Sequence, residues 1–279
     1  MVLVLLSLAV VLTLVLFVVA RSITDVAVSS KSQEAVRAFS AAEAGVEQSL
    51  VTGQNFTNDS FANGTAKFAS VVNQAAEGDT EFTYPVELAS GDSAIFWFVS
   101  HDQDGNLTCA DNKCFTGNQI QLCWGKNGTG SSTTTTPAIE VSVFYESSAG
   151  NLGTLKIGRA TSDPNSGRIT SNNFGDSSGS CSGFAFTKTI PLSGIVVGGT
   201  PLGTQNVLQF ARVRMLYNSD QTHPLKLIVS GGTLPSQGQN ISSTGSAGSS
   251  NREVNVFQGW PEPPSVFDYT VYSSSGLTK

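Results

Sequence analysis

The chain is poor in charge: only 13% of its 279 residues are Asp, Glu, Lys or Arg, about half the usual share. Fifteen basic residues against 21 acidic ones give a net charge of −6, and no Lys/Arg cluster occurs. Nucleic acid is therefore excluded as a partner, because no basic field exists to displace counterions from phosphates. Ser, Thr, Asn and 28 Gly take the place of the charges. Such a surface is more typical of exposed extracellular proteins than of cytosolic enzymes.

Catalytic motifs are missing as well. The chain contains no G-x-S-x-G, no P-loop and no H-E-x-x-H, and its two histidines, His101 and His223, are far apart in sequence. We therefore predict no catalytic residue, no enzymatic activity and no cofactor.

Cysteine is scarce but even in number. The four residues are Cys109, Cys114, Cys123 and Cys181. An even count in a chain of exported character suggests two disulfides, for which three connectivities exist. We favour Cys109–Cys114, which closes a short loop, with Cys123–Cys181 joining distant segments. A zinc site is the rival interpretation, but it would want C-x₂-C pairs or nearby histidines.

One long apolar run stands out, at residues 1–20, where only Ser7 and Thr13 are polar and no side chain is charged. As a helix it is about 30 Å long, enough to cross a hydrocarbon core. Three interpretations compete: a secretory signal, a single-pass anchor, and a segment first embedded in membrane and later buried among copies of itself. A signal would carry a basic n-region and an A-x-A cleavage site, and neither is present here.

The helix signal continues through residues 31–51. Apolar residues recur there at spacings of three or four and form one stripe, and Gly53 is a suitable terminator. We predict a single helix over residues 1–52 whose second half lies on a sheet of its own domain. The residues expected to make that contact are Ala35, Phe39, Ala42, Val46 and Leu50.

Beyond the helix, the apolar pattern turns to period two, which indicates strands. The segments concerned are 79–88, 93–100, 119–124, 138–146, 153–160, 206–217, 224–230, 252–258 and 266–273. Residues 53–78 read as a polar connection with some helical character at 66–76, and 131–136, 161–182 and 237–250 read as loops. The fold class is therefore α+β: a long N-terminal helix packed on a β-rich, disulfide-bonded head of two parts, residues 53–182 and 183–279.

Oxygen-bearing side chains occupy alternate positions at Asp102, Asp104 and Asn106, with Asp111 nearby. Hard cations such as Ca²⁺ prefer this ligand type, but the full EF-hand pattern is not there. Asp, Asn and Gly are also what a turn between two strands requires. The turn is the favoured interpretation, and we predict no metal.

The first fifty residues resemble the N-terminal helix of type IV pilins. The segment Ala38-Phe39-Ser40-Ala41-Ala42-Glu43-Ala44-Gly45 is similar to the A-F-x-A-A-E-A-G stretch of the PilX-like branch. Most pilins carry Glu at the fifth mature position, whereas this chain has Leu5, so it is nearer to pilins that lack that carboxylate, including K-type tip subunits.

The resemblance implies a structural subunit of an extracellular type IV pilus that supports adhesion or motility. A prepilin peptidase would remove a leader and leave Met1 as the first residue, and assembly machinery would move the subunit from the inner membrane into a filament of its own copies. Because Leu5 cannot form the usual ion pair, hydrophobic packing together with the Ser7 and Thr13 hydroxyls would set the register. The alternatives are a minor or tip pilin, and a single-pass anchored surface adhesin. The residues expected in the filament core are Met1, Leu5, Leu8, Leu12 and Leu16.

Overall fold

A computed structural model of the chain describes residues 1–102, 104–110, 112–177, 179–196 and 202–262. The α+β class is confirmed: a long N-terminal helix packs on β-structure, and two disulfides are present. The predicted strand 266–273 lies outside the described residues.

Helix α1 runs from Val2 to Thr52 without interruption, which gives it a length of about 77 Å. No proline precedes Pro85 and no glycine precedes Gly45, so nothing in the first 44 residues breaks the backbone hydrogen-bond ladder. The helix ends at Gly53, which adopts the left-handed conformation (φ 67°) and donates its N–H to the Ser49 carbonyl at 2.8 Å. Glycine reaches this conformation without steric cost, as the sequence predicted for a terminator.

The remaining described elements are mostly strands. Two short 3-10 turns (Leu152–Thr154 and Leu192–Gly194) and one short helix, α2 (Ser166–Asn172), interrupt them. The strands are β1 Phe56–Phe61, β2 Ala66–Gln74, β3 Glu81–Thr83, β4 Ser93–Trp97, β5 Ser100–His101, β6 Leu107–Thr108, β7 Gln119–Lys126, β8 Ala138–Glu146, β9 Leu155–Ser162, β10 Phe184–Pro191, β11 Leu208–Leu216, β12 Leu225–Ser230, β13 Gly238–Ala247 and β14 Ser250–Gly259.

The chain divides into two compact units that are interleaved in sequence. The first comprises residues 1–73 and 240–258, and the second comprises residues 74–239 and the chain from Gly259. This division differs from the consecutive regions 1–52, 53–182 and 183–279 expected from the sequence. The reason is strand pairing over long distances, which composition does not reveal: β10 pairs with β7 across the expected boundary at 182–183.

The first unit consists of α1 and a sheet of order β1-β2-β13-β14. Two sequence predictions are wrong here, because the segments 53–78 and 237–250, expected to be polar connections, supply three of these strands. Strand β13 does alternate, but its buried positions after Gly238 are Ile241, Ser243, Gly245 and Ala247. Three of those four side chains are small or polar, so a hydrophobic period of two was not visible.

The second unit contains two four-stranded sheets, β10-β7-β12-β3 and β4-β11-β8-β9, and the two-stranded sheet β5-β6. Side chains from both larger sheets share one buried core, for example Phe96, Leu122, Trp124, Val141 and Leu227. The predicted strand 138–146 is confirmed as β8, with Ile139, Val141, Val143 and Tyr145 buried and the intervening Glu140, Ser142 and Phe144 less so. The predicted strand 79–88 is reduced to β3, a three-residue edge strand that pairs with β12.

The expected loop 161–182 contains α2, and Arg168 on that helix organises its surroundings. The guanidinium Nη2 donates to Oδ1 of the fully buried Asp163 at 2.8 Å, and Nε donates to Oδ2 at 3.0 Å. Nη1 donates to the Thr134 carbonyl at 2.8 Å, and Nη2 donates also to the Thr136 carbonyl at 2.7 Å. The Ser/Thr-rich segment 131–136 is therefore held by Arg168, and Thr136 is buried.

Candidate functional site

The first half of α1 presents a continuous exposed apolar surface. Every residue from Met1 to Gln33 is exposed, and the apolar positions expected in a filament core all belong to this surface. Exposed apolar patches much beyond a few hundred Å² are rare on soluble monomers and mark protein or membrane interfaces. The helix α1 is also long enough and apolar enough to cross a membrane. A signal sequence can have the same length and composition.

The apolar half carries few hydrogen-bonding groups, and its hydroxyls are used locally. Ser7 Oγ donates to the Val4 carbonyl at 2.9 Å, and Thr13 Oγ1 donates to the Val10 carbonyl at 2.8 Å. Thr24 Oγ1 likewise donates to the Ala20 carbonyl at 3.0 Å. Bonding to the preceding turn is usual for hydroxyls within helices. The hydroxyl groups of these side chains donate within their own helix. This weakens the expectation that Ser7 and Thr13 set the register between copies.

A groove runs along α1 just after the apolar run, and we call it the Arg21–Asp25 groove. Two rows of side chains at i, i+4 spacing form its walls, so the groove follows the natural ridges of a helix surface. Arg21 and Asp25 lie in the same row and are the sole charged residues among the first thirty. The groove is lined by Phe17, Arg21, Asp25 and Ser29 in one row and by Val18, Ser22 and Val26 in the other.

No ion pair within 4.0 Å involves Arg21 or Asp25 among the described residues. The order along the helix contributes to this, because an acid placed four residues before a base pairs better within a helix than the reverse order does. Here the base comes first. Both side chains are exposed and available to a second molecule.

The second half of α1 is attached to its sheet through small residues. The buried helix positions are Ala38, Ala41, Ala42, Gly45, Val46 and Ser49. A side chain on Gly45 would overlap Ser243 and Phe68, and one on Gly245 of β13 would overlap the backbone of Ala38. The helix and the sheet therefore approach backbone to backbone, which large side chains would prevent.

The predicted helix-to-sheet stripe was correct in part. Ala42 and Val46 are buried, and Ala35 and Leu50 are half-buried. The prediction for Phe39 is wrong, since its side chain is 45% exposed. The contact face is turned away from Phe39, towards Ala38, Ala41 and Gly45, because close approach favours the smallest side chains. The A-A-E-A-G stretch was the signal that could have indicated this.

Two polar contacts fix the helix on the sheet. Ser49 Oγ and Ser70 Oγ of β2 are 2.6 Å apart and buried. At the turn between β13 and β14, the N–H and the Oγ of Ser249 both donate to Glu34 Oε2 at 3.1 Å. These hydrogen bonds, the backbone one first, lower the pKa of Glu34.

The disulfide pairing is as predicted. Cys109 pairs with Cys114, five residues apart, and Cys123 of β7 pairs with Cys181, 58 residues apart. The second bond joins β7 to the segment that leads into β10, its neighbour in the sheet.

The oxygen-rich segment at 102–106 forms a turn closed by its own side chain. Asp102 Oδ1 accepts from the backbone N–H of Asn106 at 2.8 Å and from that of Asp104 at 2.9 Å. These hydrogen bonds, that of Asn106 first, lower the pKa of Asp102. Among the described residues, which do not include Asp111, no group of three or more His, Cys, Asp or Glu side chains is placed to hold a metal ion.

The two histidines occupy different parts of the second unit. His101 is stacked on the Trp260 ring (centroids 4.5 Å apart, planes 9° apart) and meets the edge of the Trp97 ring at 4.6 Å. This burial lowers the pKa of His101 to about 4. His223 is buried and accepts the Lys126 N–H on Nδ1 at 3.1 Å, and its pKa is likewise lowered by burial. No local pattern predicts this aromatic cluster, because its members are spread from residue 97 to residue 260.

Comparison with known proteins adds no family to this description, since no family model, curated protein or solved structure matches the chain.

Proposed function

We propose that this protein is a structural subunit of an extracellular filament of the type IV pilus class, in which the first half of α1 packs against the same helix of neighbouring copies. One observation carries the proposal: α1 is a single unbroken helix whose second half is buried on its own sheet while its first half remains exposed and apolar.

The energetics support burial of that surface in some partner. Burying a Leu, Val or Phe side chain is worth about 1.5–3 kcal/mol. Residues 1–20 include seven Leu, seven Val and one Phe, at least half exposed in nearly every case. Exposure of all these side chains to water would destabilise a monomeric soluble form of the protein. Lipid before assembly and a bundle of identical helices afterwards would each remove this cost.

In this proposal the partners are other copies of the chain, the membrane before assembly, a prepilin peptidase and pilus assembly machinery. The place of action is the cell surface, where the filament supports adhesion or motility. The strand-rich remainder with its two disulfides would stay outside the bundle of helices.

A second candidate is a single-pass anchored surface protein. The observation in its favour is the length and apolar composition of α1, which would also suit a permanent membrane span. A minor or tip subunit of the same filament is the third candidate, and it differs from the first in copy number alone.

Shearing cells that express the full chain separates these candidates. We expect the subunit to be abundant in the sheared filament fraction, as seen by immunoblot and electron microscopy. A trace amount would identify a minor or tip subunit. Complete retention in the membrane fraction would contradict the filament and favour the anchored surface protein.

Substitution within the apolar surface makes the same experiment sharper. Leu12→Asp should reduce sheared filaments at least tenfold, because an ionised carboxylate cannot be buried in an apolar bundle without great cost. Leu152→Asp is the matched control, since Leu152 is 59% exposed, compared with 58% for Leu12, and lies outside α1. Equal filament yields from the two variants would contradict the proposed role of α1.

A further inference from the structure

The apolar surface of α1 can attract a second helix but cannot by itself fix the axial position of that helix. Hydrophobic attraction is non-directional and scales with the area removed from water. Residues 1–20 have Leu or Val at fourteen of twenty positions, so several axial offsets would bury similar areas. The hydroxyls of Ser7, Thr13 and Thr24 are already bonded to carbonyls of their own helix. Something else must distinguish one offset from another.

The Arg21–Asp25 groove holds the two groups that can make this distinction. Arg21 is a cation and Asp25 an anion, both are exposed, and neither forms an ion pair within the described chain. They lie four residues apart in one row of the helix, about 6 Å along its axis. Apolar side chains of Phe17, Val18 and Val26 flank them.

We propose that Arg21 of one copy pairs with Asp25 of the next copy and so fixes the axial offset between neighbouring helices. This inference rests on the proposed filament function and specifies its contact. For parallel helices, the pair forms when one helix is displaced by about 6 Å relative to the other. The row that carries both charges then lies against the groove of the neighbour, as ridges-into-grooves packing requires.

The geometry also produces an open-ended assembly. When Arg21 of the first copy binds Asp25 of the second, Asp25 of the first and Arg21 of the second stay unused. Each can bind a further copy in the same way. Head-to-tail contacts of this kind form open helical polymers when the rotation between copies does not close a ring.

The surroundings strengthen the pair once the helices meet. An exposed ion pair by itself contributes little to stability. Packing of the neighbouring Phe17, Val18 and Val26 side chains would exclude water from the pair, and the lower local dielectric strengthens the attraction between opposite charges. Wrong offsets would instead leave a charge facing apolar side chains, which is costly.

Charge reversal tests the pair directly in full-length subunits expressed in cells. Arg21→Asp creates a copy with two acidic residues in the groove, and Asp25→Arg creates one with two basic residues. We expect each variant alone to lose at least tenfold in sheared filament yield. Co-expression of the two variants, and the double variant R21D/D25R, should each restore the yield to within threefold of the wild type, because opposite charges again face each other.

Matched reversals elsewhere on α1 provide the control. Arg37→Asp and Glu47→Arg change the same charges at exposed positions outside the groove, and both should assemble like the wild type. Protease resistance of both compact units reports folding of each variant separately from assembly.

The outcomes distinguish this pair from the filament itself. Normal assembly of either single variant, or failure of the mixture to assemble although both copies are folded, would overturn the Arg21–Asp25 pair while leaving the filament in place. Absence of filaments from the wild type would overturn the filament, and the pair with it.

Discussion

Arg168 shows how one residue determines the conformation of a polar segment. Its guanidinium binds the buried carboxylate of Asp163 with two nitrogens and lies 4.1 Å from the centre of the Tyr217 ring. Asn172 donates a further hydrogen bond to Asp163 at 2.8 Å. A fully buried carboxylate with these partners is stable, whereas the same carboxylate without its cation is not.

Replacing Arg168 by Ala should therefore destabilise the second unit by about 3–5 kcal/mol, because it leaves a buried charge without its cation. Denaturant unfolding followed by tryptophan fluorescence measures the loss, since all three tryptophans lie in this unit. Arg159→Ala is the control: its ion pair with Glu140 (3.2 Å) is exposed on the Arg159 side, and we expect a change of about 0–1 kcal/mol. Similar losses in both variants would contradict the assigned importance of burial.

His101 makes the stability of the second unit depend on pH. Its folded pKa is about 4, below the ordinary value of about 6.5, so the unfolded chain takes up the proton first. The contribution is fully present above pH 6.5 and is lost as the pH falls from 6.5 towards 4. His223 acts in the same direction, since burial lowers its pKa too.

We expect the wild type to lose stability between pH 7.5 and pH 5.0, and His101→Gln to lose about 1 kcal/mol less because glutamine does not titrate. Urea unfolding at the two pH values, with Trp97 and Trp260 as fluorescent reporters, measures this difference. The range lies above the region where carboxylates such as Glu34 and Asp102, with their lowered pKa values, begin to protonate. An identical pH dependence in both proteins would show that His101 is not the group responsible.

At the scale of elements, α1 has two surfaces of different chemistry on one continuous rod. The first half is covered with large exposed apolar side chains, and the second half is buried through alanine, glycine and serine. Large apolar side chains provide surface for contact with another molecule, whereas small side chains allow backbone contact with the sheet. On the sheet, Gly245 makes the close approach possible because it has no side chain.

Gly245→Ala should separate α1 from β13, because the new methyl group would overlap backbone atoms of Ala38 and Ala42, which cannot rotate away. We expect a cost of about 1–3 kcal/mol, typical of overpacking, and faster hydrogen exchange for the amides of residues 38–49. Gly194→Ala is the control, because nothing lies within 4 Å of its added methyl group and its backbone φ is not left-handed. Unchanged exchange in Gly245→Ala would show that the helix tolerates displacement.

At the scale of the whole molecule, elements that are neighbours in a sheet are far apart in the sequence. The N-terminal helix and the β1–β2 hairpin are completed by β13 and β14, which arrive more than 160 residues later. Everything between them forms the second unit with its own core and both disulfides. Cys123–Cys181 closes a loop of 58 residues within that unit. Cross-linking a loop of this length lowers the conformational entropy of the unfolded chain, which stabilises the folded state by a few kcal/mol.

Local patterns in the sequence were sufficient for several features. Twenty residues without charge, followed by a second stretch of helical periodicity, determined α1 and its end at Gly53. Period-two alternation determined β8 to the residue, and the cysteine spacing favoured the pairing that is found. The helix, the strand and the Cys109–Cys114 loop each depend on residues close together in sequence, so their physical cause is present in the local sequence.

Tertiary structure decided the features that depend on distant partners. Strand β13 has small and polar residues at most of its buried positions, because what it packs against is a helix backbone. The same contact turned the buried face of α1 away from Phe39 and towards Ala38, Ala41 and Gly45. The stack of His101 on Trp260 joins residues 159 positions apart. Hydrophobic periodicity reports how much apolar area a residue can bury, but it does not report how closely the partner will approach, and that distance was set by the fold.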